Sequence, residues 1–185
     1  MTATSAHGVL YVIACAAGAA SEVGRLIDHP QQRFWDVHVI ATPAARDFLD
    51  IEDVKARTGH AIRSEHRGAS DGPRSLPQAD AIIVAPATYN TINKWAHGIS
   101  DNYALGVLAE AIGLGIPIVV LPFVNAALAA HPAFVHSVAV LRDAGVTVVL
   151  GPGELEPHPP GTGGSRLDTF PWHLALDRAD ALVQR

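Results

Sequence analysis

Three stretches of the chain are apolar with no polar alternation: residues 9–14 (VLYVIA), 81–85 (AIIVA) and 116–121 (IPIVVL). Such runs, bounded by turn-forming residues, are the pattern of strands covered on both faces in a parallel sheet. Residues 35–41 (WDVHVIA) and 146–150 (VTVVL) read as two more strands, and residues 61–66 as another, third in chain order. Between them the spacing turns helical. Leu105, Leu108, Ala109 and Ile112 fall at i, i+3, i+4 and i+7, which predicts a helix over 103–113 with one core face. Residues 22–28 and 48–58 predict shorter helices. Phe134, Val138 and Leu141 share one side of a helix that Gly145 ends, and residues 172–183 predict a closing helix.

Six strands alternating with helices predict an α/β fold: a Rossmann-like, doubly wound, six-stranded parallel sheet in a three-layer α/β/α arrangement. With right-handed crossovers and two three-stranded halves, the order is 3-2-1-4-5-6. The order reverses between the first and fourth strands, where open sheets bind ligands at the carboxyl ends. That sets the turn after the first strand, residues 15–21, beside residues 86–90, which follow the fourth. Residues 79–102 (ADAIIVAPATYNTINKWAHGISDN) then form the centre of the molecule: a buried strand, a proline-broken turn at 86–89, and a helix start carrying Thr88, Asn90, Thr91 and Asn93.

Composition narrows the function classes. At 185 residues the chain predicts one domain, 49% hydrophobic and 17% charged, enough to cover a sheet on both faces or to bury further surface between subunits. The net charge of -5 and the lack of a basic run argue against nucleic acid. The one cysteine, Cys15, excludes an internal disulfide and points to a reducing cytoplasm. The ten histidines are scattered, no Cys/His group has the paired spacing of a structural zinc site, and no metal is expected. The apolar stretch at 9–20 is too short and too rich in Gly and Ala to span a bilayer, and no basic segment precedes it as in an export signal. Residues 151–164 hold five glycines and four prolines, and the 151–168 segment reads as a flexible substrate loop at a strand end.

Two polar turns have a structural and a chemical reading. Small residues at 14–20 allow either a tight strand-to-helix connection or close approach of backbone to an anion, although the G-x-G-x-x-G fingerprint is absent. Thr42, before Pro43, is a helix N-cap by propensity and a phosphate contact by position.

Pro86-Ala87-Thr88-Tyr89-Asn90-Thr91 resembles the PASANT motif of the homo-oligomeric flavin-containing cysteine decarboxylases, the family of phosphopantothenoylcysteine decarboxylase and the lantibiotic peptidyl-cysteine decarboxylases. Lys94, Gly98, Ile99, Asp101 and Asn102 match the continuation of that motif. Pro122-Phe123-Val124-Asn125 keeps the proline and asparagine of the family's PxMNxxMW motif, and Thr42-Pro43-Ala44-Ala45 resembles its second-strand end. The likeness runs in order over residues 9–150. It implies an FMN-binding subunit in a homotrimer or an assembly of trimers. FMN would be held by the loop Cys15, Ala16, Gly18 and Ala19, by Thr42, and by Ala87, Thr88 and Asn90, with Lys94 and Asp101 from the motif's continuation. Catalysis would rest on Asn90 and on Asn125, which would face a substrate carboxylate. The flavin would accept a hydride from a cysteine side chain, and the product would lose carbon dioxide easily.

The departures are specific. The family's catalytic histidine falls at Gly72, and residues 67–78 contain no histidine; His66, the nearest upstream, is the candidate base. Gly163-Gly164-Ser165-Arg166 echoes the family's late GxGR motif without its cysteine. Three functions follow from the resemblance: an FMN-dependent decarboxylase of a small or peptidyl thiol or carboxylate substrate, an FMN-binding or regulatory subunit without catalysis, and a UbiX-like flavin prenyltransferase. The last is weighed down by the scarcity of basic residues after Asn102.

Overall fold

A computed structural model describes residues 8–32, 35–65 and 76–183. Its five parallel strands are β1 (Gly8–Ala14), β2 (Trp35–Ala41), β3 (Ala81–Ala87), β4 (Ile118–Pro122) and β5 (Thr147–Val148), in the order β2-β1-β3-β4-β5. Leu10 of β1 pairs with Val37 of β2 on one side and Ala81 of β3 on the other, so β1 is an interior strand. The helices are α1 (Val23–Gln32), α2 (Ile51–Thr58), α3 (Tyr89–Ala96), α4 (Tyr103–Gly113), α5 (Ala126–Ala129), α6 (Pro132–Asp143) and α7 (Trp172–Val183).

The continuous apolar runs form strands because both faces of each are covered. Along β1, Leu10, Val12 and Ala14 enter one core with Val23, Leu26 and Ile27 of α1 and Trp172, Ala175 and Leu176 of α7. Tyr11, Ile13 and Cys15 alternate into a second core with Ile92 and Trp95 of α3, Leu105 and Leu108 of α4, and Phe134 and Leu141 of α6. Each large aliphatic side chain buried this way stabilises the fold by about 1.5–3 kcal/mol relative to exposure.

The six-strand expectation is corrected to five among the described residues. Residues 61–65 run along the outer edge of β2, where the third strand was expected, but make only one bridge: Ala41 N–H donates to the Arg63 carbonyl at 2.7 Å, and Arg63 N–H to the Val39 carbonyl at 3.0 Å. With Ile62 its one large apolar side chain, this polar segment has too little to bury for a longer ladder. The last strand is cut to Thr147–Val148: Val149 N–H still donates to the Val120 carbonyl at 2.9 Å, but Leu150 N–H turns back to the Val148 carbonyl at 3.0 Å, and the Arg142 guanidinium donates to the Val148 and Leu150 carbonyls at 2.9 and 2.7 Å. β3, in turn, runs two residues past its expected end into the proline-broken turn. Pro86 has no N–H to donate, yet its carbonyl accepts from Cys15 N–H at 3.1 Å, so the ladder continues. The helix expected at 48–58 starts later, at Ile51: Phe48 ends a 3-10 turn over Pro43–Phe48, and Asp50 caps α2 by accepting from Asp53 N–H at 3.0 Å.

Candidate functional site

The carboxyl ends of β1, β2, β3 and β4 are tied at one level. Thr42 N–H donates to the Ala14 carbonyl at 3.0 Å, and Phe123 N–H to the Ala87 carbonyl at 2.8 Å. The turns leaving this edge enclose a cavity of about 390 Å³, within the range of ligand sites, about 300–1,000 Å³. Ala16 comes from the turn after β1 and Thr42 from the end of β2. Thr88, Asn90, Thr91 and Lys94 come from the β3–α3 junction, and Asp101 and Asn102 from the start of α4.

Capping fixes the polar wall. Thr88 Oγ1 accepts from Thr91 N–H at 3.3 Å and starts α3, while its own hydroxyl donates to Thr91 Oγ1 at 3.1 Å. Asn102 Oδ1 accepts from Leu105 N–H at 3.1 Å and starts α4. Between the two helices Gly98 takes a φ of +69°, a left-handed turn that glycine tolerates, and returns the chain toward α3. Across that turn Lys94 Nζ donates to Asp101 Oδ2, and Asn102 Nδ2 donates to Asp101 Oδ1 at 3.1 Å. The bond from Lys94 holds the Asp101 carboxyl below the usual range, so it is ionised at neutral pH. Thr42 stands where an N-cap would, but its side chain makes no capping bond to the 3-10 turn behind it, contrary to the capping expectation.

A second cavity, of about 330 Å³, lies under the 151–168 segment. Phe123 and Val124 form its floor; Glu154, Glu156, His158 and Arg166 come from the segment itself. The segment is tied down: Ala126 N–H donates to the His158 carbonyl at 2.8 Å, and the Phe123 and His158 rings lie 5.0 Å apart. Burial, and to a lesser degree the charge of Arg166, lower the His158 pKa, so the imidazole is neutral at pH 7. Asn125 pairs with His158 through the backbone, and its Oδ1 accepts from Leu128 N–H at 3.0 Å, capping α5. Since that bond takes the oxygen, the carboxamide presents its N–H groups elsewhere.

Six of the expected cofactor contacts therefore share one cavity wall: Ala16, Thr42, Thr88, Asn90, Lys94 and Asp101. Cys15, Ala19 and Ala87 do not: each is fully buried, and their side chains belong to the core behind the wall. Burial pushes the Cys15 thiol pKa up, outweighing the bond with Thr91, so the thiol is protonated and inert at neutral pH. Gly18 sits beside the second cavity instead; a Cβ there would come within 3.3 Å of Leu167 and 4.0 Å of Phe123. Asn125 lines neither cavity, and Asn93, although in the same motif, does not line the first. Tyr89 stacks on Phe134 of α6 at 5.6 Å and 15°. His66 and Gly72 lie outside the described residues. Sequence reasoning missed His158 and noted Arg166 only as part of the late-motif echo; the folding back of the 151–168 segment brings both beside Phe123.

A parallel α/β sheet with a polar cavity at the carboxyl ends of β1, β2 and β3 defines a Rossmann-like ligand-binding class. The chain belongs to the Flavoprotein family, whose model matches residues 2–164. It is 29% identical over 157 residues to the coenzyme A biosynthesis bifunctional protein CoaBC of Mycolicibacterium smegmatis strain ATCC 700084 / mc(2)155, covering 79% of this chain and 36% of that protein. The chain thus spans about a third of that relative's length. Among solved structures, the FMN-dependent cysteine decarboxylase SpaF is similar at 26% identity and a TM-score of 0.67, covering 94% of this chain and 98% of SpaF. The FMN-dependent cysteine decarboxylase TvaF of thioviridamide biosynthesis shares the fold at 23% identity and a TM-score of 0.69, with the same coverage. Among the described residues no helix is long and apolar enough to cross a membrane.

Proposed function

We propose that this chain is an FMN-dependent enzyme of the cysteine-decarboxylase type, acting on a small or peptidyl substrate that carries a thiol and a carboxylate, and working as a homotrimer or an assembly of trimers in the cytoplasm. The observation that carries the reading is the single cavity that joins Ala16 and Thr42 to Thr88, Asn90, Lys94 and Asp101.

The wall fits FMN. Ala16 leaves room for a phosphate to approach the backbone, and the Thr42 hydroxyl, making no capping bond, is available to it. Asn90 is exposed at the cavity and offers a donor and an acceptor, which suits the polar edge of a flavin ring. Lys94 is neutralised by Asp101, so it shapes the rim rather than supplying a free charge. When bound, the flavin supplies the electron acceptor for oxidising a thiol-bearing carbon, the step that makes loss of carbon dioxide easy.

The remaining work falls to the protein's own residues. Asn125 follows Val124 of the second cavity's floor without lining it, and with its oxygen fixed by α5 it offers N–H to a substrate carboxylate that extends past that floor. Arg166 adds a cation at the neighbouring cavity, and the 151–168 segment covers that cavity against water. His158, half-buried and neutral, is suited to take up a proton in place of the histidine absent at Gly72.

A second reading, an FMN-binding subunit without turnover, is favoured by the lack of any histidine at 67–78. Anaerobic mixing of the FMN-loaded protein with phosphopantothenoylcysteine or C-terminal cysteine peptides separates the two. The enzyme reading expects flavin bleaching together with carbon dioxide release, both slowed in His158→Gln. A yellow protein that neither bleaches nor releases carbon dioxide with any of these thiols would leave the subunit reading.

A further inference from the structure

We propose that Asp36, His38 and His60 form a binding site for one divalent transition-metal ion of the zinc type, at the end of the sheet opposite the cofactor cavity. Asp36 and His38 are two apart on β2, so their side chains leave the same face of the strand. His60 arrives from the other side of a tight turn. Gly59, with a φ of +74°, closes α2, and Thr58 Oγ1 accepts from His60 N–H at 3.1 Å while donating to the Val54 carbonyl at 2.9 Å. Both arms of the site are therefore set by backbone structure.

The three side chains converge. His60 Nε2 lies 2.7 Å from Asp36 Oδ1, His38 Nε2 lies 3.2 Å from Asp36 Oδ2, and one ligand atom from each residue falls within 4.8 Å of the other two. The imidazoles stack at 4.0 Å and 19°, with both Nε2 atoms facing the same carboxylate. An ion among these atoms replaces the Nε2 protons, and each neutral ring then carries its proton on Nδ1. The His38 side chain is only 7% exposed, whereas Asp36 and His60 are 44% and 38% exposed, so the site has a rigid wall and an open side for entry and a water ligand.

The donor set selects the ion. Two imidazoles and one carboxylate with a fourth position open suit zinc and its neighbours in the first transition row. Calcium or magnesium needs more oxygen donors than the one carboxylate here supplies. Bound metal would clip the start of β2 to the chain leaving α2. Asp36 and Thr42 are six residues apart along β2, about 20 Å at the rise of an extended strand, so the site is separate from the flavin cavity.

The test uses the full chain, stripped with a chelator and titrated with Co²⁺ as a visible probe, then with Zn²⁺ as competitor. Expected are one Co²⁺ per chain with d–d absorption bands, displacement by Zn²⁺, and affinity reduced roughly tenfold or more in both Asp36→Asn and His60→Ala. His173→Gln, at an exposed histidine of α7, should bind as the parent does. Zn²⁺ should raise the melting temperature of the parent and not of Asp36→Asn. Far-UV circular dichroism and cooperative thermal melting without metal report that the variants are folded, independently of FMN. Absence of saturable Co²⁺ binding at micromolar concentration, or equal binding by the parent and both variants, would overturn the site and leave a hydrogen-bonded His-Asp-His triad.

Discussion

Removing the Thr88 hydroxyl tests whether the β3–α3 junction is held as described. The Oγ1 atom accepts the Thr91 N–H at 3.3 Å and donates to Thr91 Oγ1 at 3.1 Å, and α3 in turn anchors Ile92 and Trp95 in the core. Loss of a threonine N-cap costs about 1 kcal/mol, within a range of about 0.5–2. In a chain of this size 1 kcal/mol moves the melting temperature by about 2–4 °C. Thr88→Ala should therefore melt about 3 °C lower than the parent in the flavin-free state, and Thr88→Ser, which keeps the oxygen, should recover most of the loss. Since Thr88 also lines the cavity, Thr88→Ala should weaken FMN binding and Thr88→Ser should not. Scanning calorimetry and flavin fluorescence titration on the three proteins separate the effects. A melting temperature for Thr88→Ala within about 1 °C of the parent would refute the capping argument, whatever happened to FMN.

Other expectations follow from single contacts. Phe134→Ala removes a ring that is 1% exposed and stacked on Tyr89, and should destabilise the protein by about 3–5 kcal/mol in urea unfolding. Cys15, fully buried with its thiol pKa raised by burial, should react with a thiol reagent only as fast as the protein opens; rapid stoichiometric labelling of the native state would contradict this. Asp101, its carboxyl lowered chiefly by the bond from Lys94, favours the folded state above the unfolded carboxylate pKa. That contribution is lost as pH falls through the lower folded value. An NMR titration should place the Asp101 midpoint below that of an unpaired aspartate, and Lys94→Gln should move it back up.

Much of the scaffold was legible because two-sided burial leaves a plain mark. Residues 9–14, 81–85 and 116–121 are apolar without alternation, and each contains the core of a parallel strand covered by helices on both faces. The strand expected at 61–66 rests on Ile62 alone among large apolar residues, too little buried face to hold a ladder; among the described residues only Arg63 bridges to β2. The end of β5 is not legible because it is set by a local turn, Leu150 N–H donating back to the Val148 carbonyl, within a run whose residue types stay apolar to Leu150. At the candidate site, residue type gave the polar turns but not orientation. Thr42 has the propensity of a cap and does not cap, and Cys15 heads a glycine- and alanine-rich turn yet points into the core. His38 and His60 meet through the turn at Gly59, and His158 reaches Phe123 through a long segment; neither meeting has a local sequence signature.

A flavin cavity built from the ends of β1, β2 and β3 should fill when the flavin-free protein is titrated with FMN and followed by absorbance and fluorescence. Saturation should come at one FMN per chain, with affinity falling in Thr42→Val and Asn90→Ala and unchanged in His173→Gln. A protein that stays colourless with FMN in excess, or binds it equally well in all of these variants, would contradict it.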